Sequence, residues 1–247
     1  MDLRGRAALV TGGSGSLGTA ISIALAEAGC DIAVGYVGNR DGADQTARAV
    51  ERLGRKACRV QVDQTDPKAI EPAVERAARD LGRLDVLVNN AGWNFGIPFT
   101  DLDALTTEIW DRIFDTNVRG PFQLARAVAP HMRTHGGGRI VNIASVAGVK
   151  PTGSSIAYAS SKAALIHLTR CLAVALAPTI TVNCVAPGLV EGTRMAQRIP
   201  PEVVERVRRE AVLQRAADGN DIANQVVTFC RADSVTGQTV VIDAGLF

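Results

Sequence analysis

The stretch Val10-Thr11-Gly12-Gly13-Ser14-Gly15-Ser16-Leu17-Gly18 constrains the fold of this chain more than any other. It stands directly behind a short apolar run, Ala7 to Val10, and directly ahead of residues 19–28, which carry helical periodicity. A turn this rich in small residues lets the backbone approach a bound group closely. The helix that follows presents free N–H groups and a partial positive charge at its N-terminus. The same residues would also serve a tight strand-to-helix turn with no ligand. The position between a first strand and a first helix is what points the motif toward a dinucleotide pyrophosphate. Gly12, Ser14, Gly15, Ser16, Leu17 and Gly18 are the candidate contact positions.

The rest of the chain repeats this alternation. Seven runs rich in Val and Ile read as strands: 7–10, 31–36, 57–62, 86–89, 139–143, 181–185 and 239–242. All but the last precede a candidate helix. Several lack polar alternation, as expected of strands covered on both faces. Strand–helix alternation implies right-handed crossovers and a doubly wound α/β domain, a seven-stranded parallel sheet with helices on both faces. The 247 residues show no low-complexity linker, so one domain over 1–247 is expected. Residues 106–135 read as helix but contain Asn117, Gly120 and Pro121, and a proline predicts a break just before it. The polar stretch 190–217, with Pro200-Pro201 at a helix start, is the candidate substrate lid.

Charge and cysteine content narrow the function. Twenty-seven basic against 25 acidic residues leave a net charge of +2, which offers no electrostatic case for nucleic acid. No apolar window approaches a membrane-spanning length, and the four-residue run 7–10 is too short for a signal-peptide core, so a cytoplasmic protein is expected. Five widely spaced cysteines suggest neither a disulfide framework nor a thiolate metal site. His131 and His135 lie four apart, but they precede Gly136-Gly137-Gly138, where a helix ends; no metal is expected.

Two constellations carry chemistry. At the end of the second strand, at Gly35-Tyr36-Val37, there is no acid to hydrogen-bond a ribose and repel a 2′-phosphate. Asn39 and Arg40 follow, and the planar fork of Arg40 could hold that phosphate, although a solvated loop arginine would look the same. Tyr36, Asn39 and Arg40 therefore favour NADP(H) over NAD(H). Farther on, Tyr158 and Lys162 are four apart at the start of a helix, which puts phenol and ammonium on one face. A nearby positive charge is expected to lower a tyrosine pKa from about 10 toward the range useful for proton transfer. Ser145 closes the fifth strand, where its hydroxyl could hydrogen-bond a substrate oxygen. Asn117, at the expected helix break, could hold a water through its side chain or its carbonyl.

In this order the motifs resemble the short-chain dehydrogenase/reductase family, in its compact single-domain branch, along essentially the whole chain. The family's glycine turn is Thr-Gly-x-x-x-Gly-x-Gly; here Ser16 stands at the middle glycine, with Gly15 before it. The resemblance implies a Rossmann fold and a tetrad. Tyr158 would be the acid/base, Ser145 would orient the carbonyl, Lys162 would bind the nicotinamide ribose and tune Tyr158, and Asn117 would anchor a relay water. It also implies that Asp63-Gln64 meets the adenine and that Asn90, Ala91 and Gly92, within Asn-Asn-Ala-Gly, lie by the cofactor. Pro187-Gly188, Val190 and Thr193 would face the nicotinamide, with Thr193 one residue later than in the commonest version.

The expected activity is hydride transfer between NADP(H) and a ketone or secondary alcohol. The cleft is expected between residues 93–95, 146–155 and 189–199, mainly apolar or small and without an arginine cluster. That suits a small apolar ketone or a 3-oxoacyl thioester better than a small acid, and the likeness is nearest to 3-oxoacyl carrier-protein reductases. Alternatives are a non-catalytic NADP-sensing protein and a sugar, polyol or steroid-type alcohol dehydrogenase. Loss of Tyr158 or Lys162 would favour the sensor, and both are present. By analogy a homotetramer is expected, using residues 106–135 and 158–177, with Val240-Val241-Ile242 and Gly245-Leu246-Phe247 as a second apolar contact.

Overall fold

The computed structural model describes residues 1–193 and 196–246. Seven strands, β1 (Ala7–Val10), β2 (Asp31–Tyr36), β3 (Ala57–Gln61), β4 (Val86–Asn89), β5 (Gly138–Ile143), β6 (Ile180–Pro187) and β7 (Thr239–Ile242), form one sheet. Their order is β3-β2-β1-β4-β5-β6-β7 and every pairing is parallel. The order reverses between β1 and β4, and such a switch point opens a crevice at the carboxyl ends of the strands. β5 starts one residue earlier than expected, and β6 outruns its expected bounds at both ends. Its two extra C-terminal residues are held by β7, with Pro187 opposite Ile242 and the Gly188 amide bonded to the Ile242 carbonyl at 2.8 Å.

Alternate strand residues enter two apolar layers. Ala8, Val10, Ile32, Val34, Val86 and Val88 pack beneath α1 (Ser16–Glu27), α2 (Arg40–Arg52) and α8 (Gly219–Arg231). Ala7, Leu9, Ala33, Leu87 and Ile140 pack beneath α3 (Pro67–Leu81), α5 (Gly120–Thr134) and α6 (Ile156–Leu176). That two-sided burial is why the strands lack polar alternation. Local signals set the helix starts. Asn39, Asp66, Thr106, Ser155 and Asp218 each accept a first-turn amide of the helix they precede.

The expected break before Pro121 takes another form. α4 (Thr107–Phe114) passes into α5 through a π-helical turn, Asp115–Arg119, closed by the Gly120 amide on the Asp115 carbonyl. The extra residue in that turn absorbs the proline's missing donor without ending the helix. The lid stretch holds a 3₁₀ turn, Ala196–Arg198, and α7 (Pro201–Glu210), none of whose described residues is buried. Arg194, Met195 and Phe247, which fall within the expected cleft, lid and terminal contact, lie outside the described residues. Among the described residues no helix is long and apolar enough to cross a membrane.

Candidate active site

The glycine turn is built by close approach. Gly12 has φ +62°, and a Cβ there would lie 3.0 Å from the Ala91 Cα. A Cβ on Gly18 would run into the Gly12 carbonyl and come within 2.8 Å of the Gly13 Cα and 2.9 Å of the Asn90 amide nitrogen. These two positions need glycine. Gly15 does not: it is an extended N-cap, and a Cβ there would meet only the Gly12 carbonyl, at 3.5 Å. Ser16, standing where the family's middle glycine is expected, is an exposed first-turn residue. The first bond into α1 runs from the Thr19 amide to Gly15, at 2.8 Å, leaving the Ser16, Leu17 and Gly18 amides without protein partners among the described residues. Free amides over a glycine cradle fit a pyrophosphate.

Thr11 ties this turn to the loop after β4. Its hydroxyl accepts the Asn90 and Ala91 amides at 3.1 and 3.0 Å, while the Asn90 side chain donates to the Thr11 and Gly12 carbonyls at 2.9 and 3.2 Å. Sequence reading placed Thr11 in the motif without a role, and nothing local marks it as this junction. Asn39 caps α2 and donates to the Ser14 carbonyl at 3.1 Å, bringing the start of α2 against the turn. Arg40, the first residue of α2, is exposed and makes no hydrogen bond or ion pair among the described residues; Tyr36 is buried at the end of β2.

Several expected contact residues are occupied by the fold. The Gln64 amide donates to the Ala91 and Thr116 carbonyls, at 3.3 and 2.5 Å, and bridges the β3 end, the β4 loop and the π turn. One Asp63 oxygen accepts the Thr65 amide and hydroxyl. Thr193 donates to the Val190 carbonyl at 2.8 Å and accepts the Ala196 amide at 3.1 Å. Val190 forms a bridge to Ala217, and a Cβ on Gly219 would touch both Val190 and Leu17. The loops after β6 and β1 are thus neighbours. A Cβ on Gly188, just past Pro187, would lie 2.7 Å from the Asp243 Cβ.

The proton-transfer candidates meet at the carboxyl ends of β4 and β5. Ser155, buried, accepts the Tyr158 amide at 3.2 Å and so sets Tyr158 in the first turn of α6. The Tyr158 hydroxyl is hydrogen-bonded to the Ser145 side chain. Lys162, one turn on, donates from Nζ to the Ile143 carbonyl at 2.9 Å, and Nζ lies 5.7 Å from the centre of the Tyr158 ring. A Cβ on Gly92 would be 3.5 Å from that Nζ and 3.4 Å from the Asn117 Oδ1. Gly92, Asn117, Ser145, Tyr158 and Lys162 therefore form one cluster.

Two expectations change in detail. Burial dominates the phenol and pushes its pKa up to about 12, with the Ser145 hydrogen bond pulling the other way. The Lys162 ammonium lies toward the ring and binds the Ile143 carbonyl. Burial also pulls Lys162 down to about 8, slightly offset by Cys184. Asn117 is 1% exposed and its side chain is fully engaged. Oδ1 accepts the Trp93 amide at 2.9 Å, and Nδ2 donates to the Trp93 carbonyl at 2.9 Å and to Ser161 Oγ at 3.0 Å. A water at Asn117 is left to the main-chain carbonyl, the second of the two routes expected.

A cavity of about 730 Å³ lies beside α7, lined by Glu191, Glu205, Arg208, Arg209, Arg215 and the strap 214–219. None of the tetrad lines it. The three arginines come from α7 and the strap and share this cavity with Glu191 of the expected cleft. Arg208 is already engaged with Glu191 at 2.6 Å and Glu205 at 3.3 Å.

The chain is similar to known proteins along nearly its whole length. Residues 6–203 match a family model described as short chain dehydrogenase. The chain is 38% identical over 240 residues to the second ketoacyl reductase ascribed to the granaticin polyketide synthase of Streptomyces violaceoruber, covering 96% of this chain and 94% of that one. It is 32% identical over 245 residues to the 3-oxoacyl-[acyl-carrier-protein] reductase of Staphylococcus aureus, covering 98% of each. Among solved structures, NAD⁺-bound xylitol dehydrogenase superposes with a TM-score of 0.92 at 32% identity, covering 99% of this chain and 100% of that one.

Proposed function

Because the chain belongs to the short-chain dehydrogenase/reductase family, whose members are NAD(P)-dependent oxidoreductases, we propose that it is an NADPH-dependent ketone reductase in which Tyr158 delivers the proton. The observation that carries this reading is the hydrogen-bonded Ser145–Tyr158 pair, with Lys162 one turn away beside Gly92 and the glycine cradle. The Gly12–Gly18 turn and the amides of residues 16–18 would hold the pyrophosphate. Arg40 would meet the 2′-phosphate, and Asp63 and the loop 90–92 would border the adenosine and nicotinamide. When bound, the reduced cofactor supplies the hydride.

The residues divide the remaining work. With its pKa near 12, Tyr158 is a neutral donor at physiological pH, the form that reduction needs. As negative charge develops on the carbonyl oxygen, the phenolic O–H breaks and its proton passes to that oxygen, while Ser145 donates a hydrogen bond to the same atom. The phenolate left behind is steadied by the Lys162 ammonium, still mostly protonated below pH of about 8. Proton return runs from solvent through Lys162 and a water at the Asn117 carbonyl.

The reductase names of the relatives and the apolar borders of the cleft support a 3-oxoacyl thioester or small apolar ketone as substrate. The chain would act as one catalytic domain, with 190–217 as its lid. A homotetramer is supported by exposed Trp110 and Phe122 along α4 and α5, by Val174 of α6 at 81% exposure, and by the half-exposed edge strand β7. The test is a panel of acetoacetyl thioesters, cyclic ketones, sugars and aromatic ketones, followed by loss of NADPH and separately of NADH. Tyr158→Phe should remain folded and lose roughly 10²–10⁴-fold in kcat. Near-native turnover in that variant, or no turnover of any ketone by the natural protein, would defeat the reading.

A further inference from the structure

We propose that Gly148 and Gly153 are positioning residues that set the Ser145–Tyr158 hydrogen bond by letting the Ser145 turn lie flat against α6. The inference rests on the catalytic reading of Tyr158 above and concerns residues outside the tetrad.

Ser145 leaves β5 in extended conformation and caps a 3₁₀ turn, Val146–Gly148. Its Oγ accepts the Ala147 amide at 3.2 Å, and the Gly148 amide bonds the Ser145 carbonyl at 2.9 Å. The turn is a small rigid body carrying the serine hydroxyl. It rests on α6 through Gly148: a Cβ there would lie 2.6 Å from the Lys162 carbonyl carbon and 2.7 Å from the Ala163 amide nitrogen. Both are main-chain atoms of a helix with full hydrogen bonding, so neither can move aside as a flexible side chain could. Carbon atoms in contact prefer about 3.5–4.0 Å. Any side chain at 148 therefore pushes the turn off the helix by roughly 0.5–1 Å, at the residue that supplies the ammonium.

Gly153 closes the other side. Its φ of +114° suits glycine, and a Cβ there would lie 2.9 Å from the Ala147 Cβ and 3.3 Å from Cδ1 of the Tyr158 ring. One turn carries the serine, one ring carries the phenol, and each is seated by a glycine whose missing side chain defines the seat. The Ile97 amide on the Ser154 carbonyl, at 2.7 Å, joins this loop to the 93–97 wall. A shift of the Ser145 turn has little room to dissipate. Misplacement of about 1 Å in a catalytic group can lower turnover about 100-fold.

The deciding experiment is a double-mutant cycle on kcat, using the best ketone of the panel, with Gly148→Ala, Ser145→Ala and the pair. NADPH affinity, read by fluorescence, reports folding and the separate glycine cradle. Gly148→Ala should lower kcat about 10- to 100-fold with NADPH Kd within about threefold, and add less than about threefold in the Ser145→Ala background. Gly54→Ala is the control. Gly54 also has a positive φ, +74°, but nothing lies within 4 Å of its Cβ position, so its effect should be small and additive. If Gly148→Ala does not bind NADPH, Gly153→Ala is put through the same cycle. Equal losses in both backgrounds, or loss of NADPH binding in both glycine variants, would overturn the inference while leaving the role of Tyr158 intact. An inactive natural protein would instead remove the reading beneath it.

Discussion

The loops after β1 and after β6 lie at the same edge of the same sheet and touch through Leu17, Val190 and Gly219, yet different forces hold them. The first is a knot of main chain. Gly18 nests on Gly12 and Gly13, Asn90 and Ala91 donate four hydrogen bonds to Thr11 and Gly12, and Asn39 ties in Ser14 from α2. The second rests on one backbone bridge, a capped turn at Thr193, and a helix without a buried described residue, attached by Arg208 to Glu191. A group of fixed shape is best met by a surface formed in advance, whereas admitting and releasing a substrate calls for a part of low local stability. The molecule assigns these tasks to adjacent loops, with the Ser145–Tyr158–Lys162 cluster on the rigid side.

The comparison breaks most visibly if chemistry does not depend on that rigid cluster. Lys162→Met keeps the bulk and removes the charge. We expect kcat to fall by about 10²–10⁴-fold with a nearly unchanged melting temperature, measured by steady-state kinetics beside calorimetry. A fall below tenfold would place the essential charge elsewhere. Next in size is Gly18→Ala, whose Cβ meets main chain on two sides. Overpacking of this kind costs about 1–3 kcal/mol, which is a drop of roughly 3–10 °C in a chain of this size, and NADPH binding should weaken with it. Val207→Ala on α7 should move the melting temperature by less than about 1 °C. Equal shifts would mean the two loops are equally well packed.

A pH profile sharpens the same contrast. Burial penalises the charged form of Lys162, so its proton leaves at about pH 8 instead of above 10. Below that point the ammonium is present; above it the phenolate loses its support. Tyr158 is shifted the other way, to about 12, and contributes no change in this window. The kcat/KM for NADPH, which reports the cofactor-free enzyme, should be level from about pH 6 to 7.5 and fall about tenfold per unit above 8. A level profile to pH 10 would detach Lys162 from the rate. Arg40 tests the cradle's outer rim: Arg40→Ala should raise the KM for NADPH about tenfold and leave that for NADH within about twofold, as one charge-assisted contact to a phosphate would. Equal changes for both would return Arg40 to the solvent.

What the sequence reveals follows the same division. The seven strands and their order of helices are legible because Val- and Ile-rich runs such as 31–36 and 86–89 are buried on both faces, a local signal with one structural answer. The tetrad types are legible because Tyr158 and Lys162 sit one turn apart and Ser145 closes a strand. Their electrostatics are not. Whether Lys162 acidifies Tyr158 or burial overrides it depends on where Nζ points, and that is set by the Ile143 carbonyl, 19 residues away in the chain. The π turn is illegible for a similar reason. Pro121 predicts a break, but Gln64, from the end of β3, holds the Thr116 carbonyl and packs on Gly120, so the helix continues. Gly148 and Gly153 read as ordinary loop glycines until α6 is laid beside them.

The smallest expected effect probes the lid alone. One Glu191 oxygen, Oε1, lies 2.6 Å from both Nε and Nη2 of Arg208, so the loop after β6 is latched to α7 by an ion pair, with the Arg208 side chain 41% exposed. Exposed ion pairs contribute little. Glu191→Gln removes the charge and keeps an acceptor. It should raise the ketone KM about two- to fourfold, leave kcat and NADPH Kd within about twofold, and shift the melting temperature by less than about 1 °C. Because salt screens exposed pairs within about 10 Å at 0.1 M, the natural protein in 0.5 M NaCl should approach the variant's KM, and the variant itself should respond weakly. A loss of kcat beyond tenfold would instead mean that strain at Glu191 reaches Tyr158 through Val190 and Leu17. The two loops would then act as one unit, and the distinction between them would fail at the point where they touch.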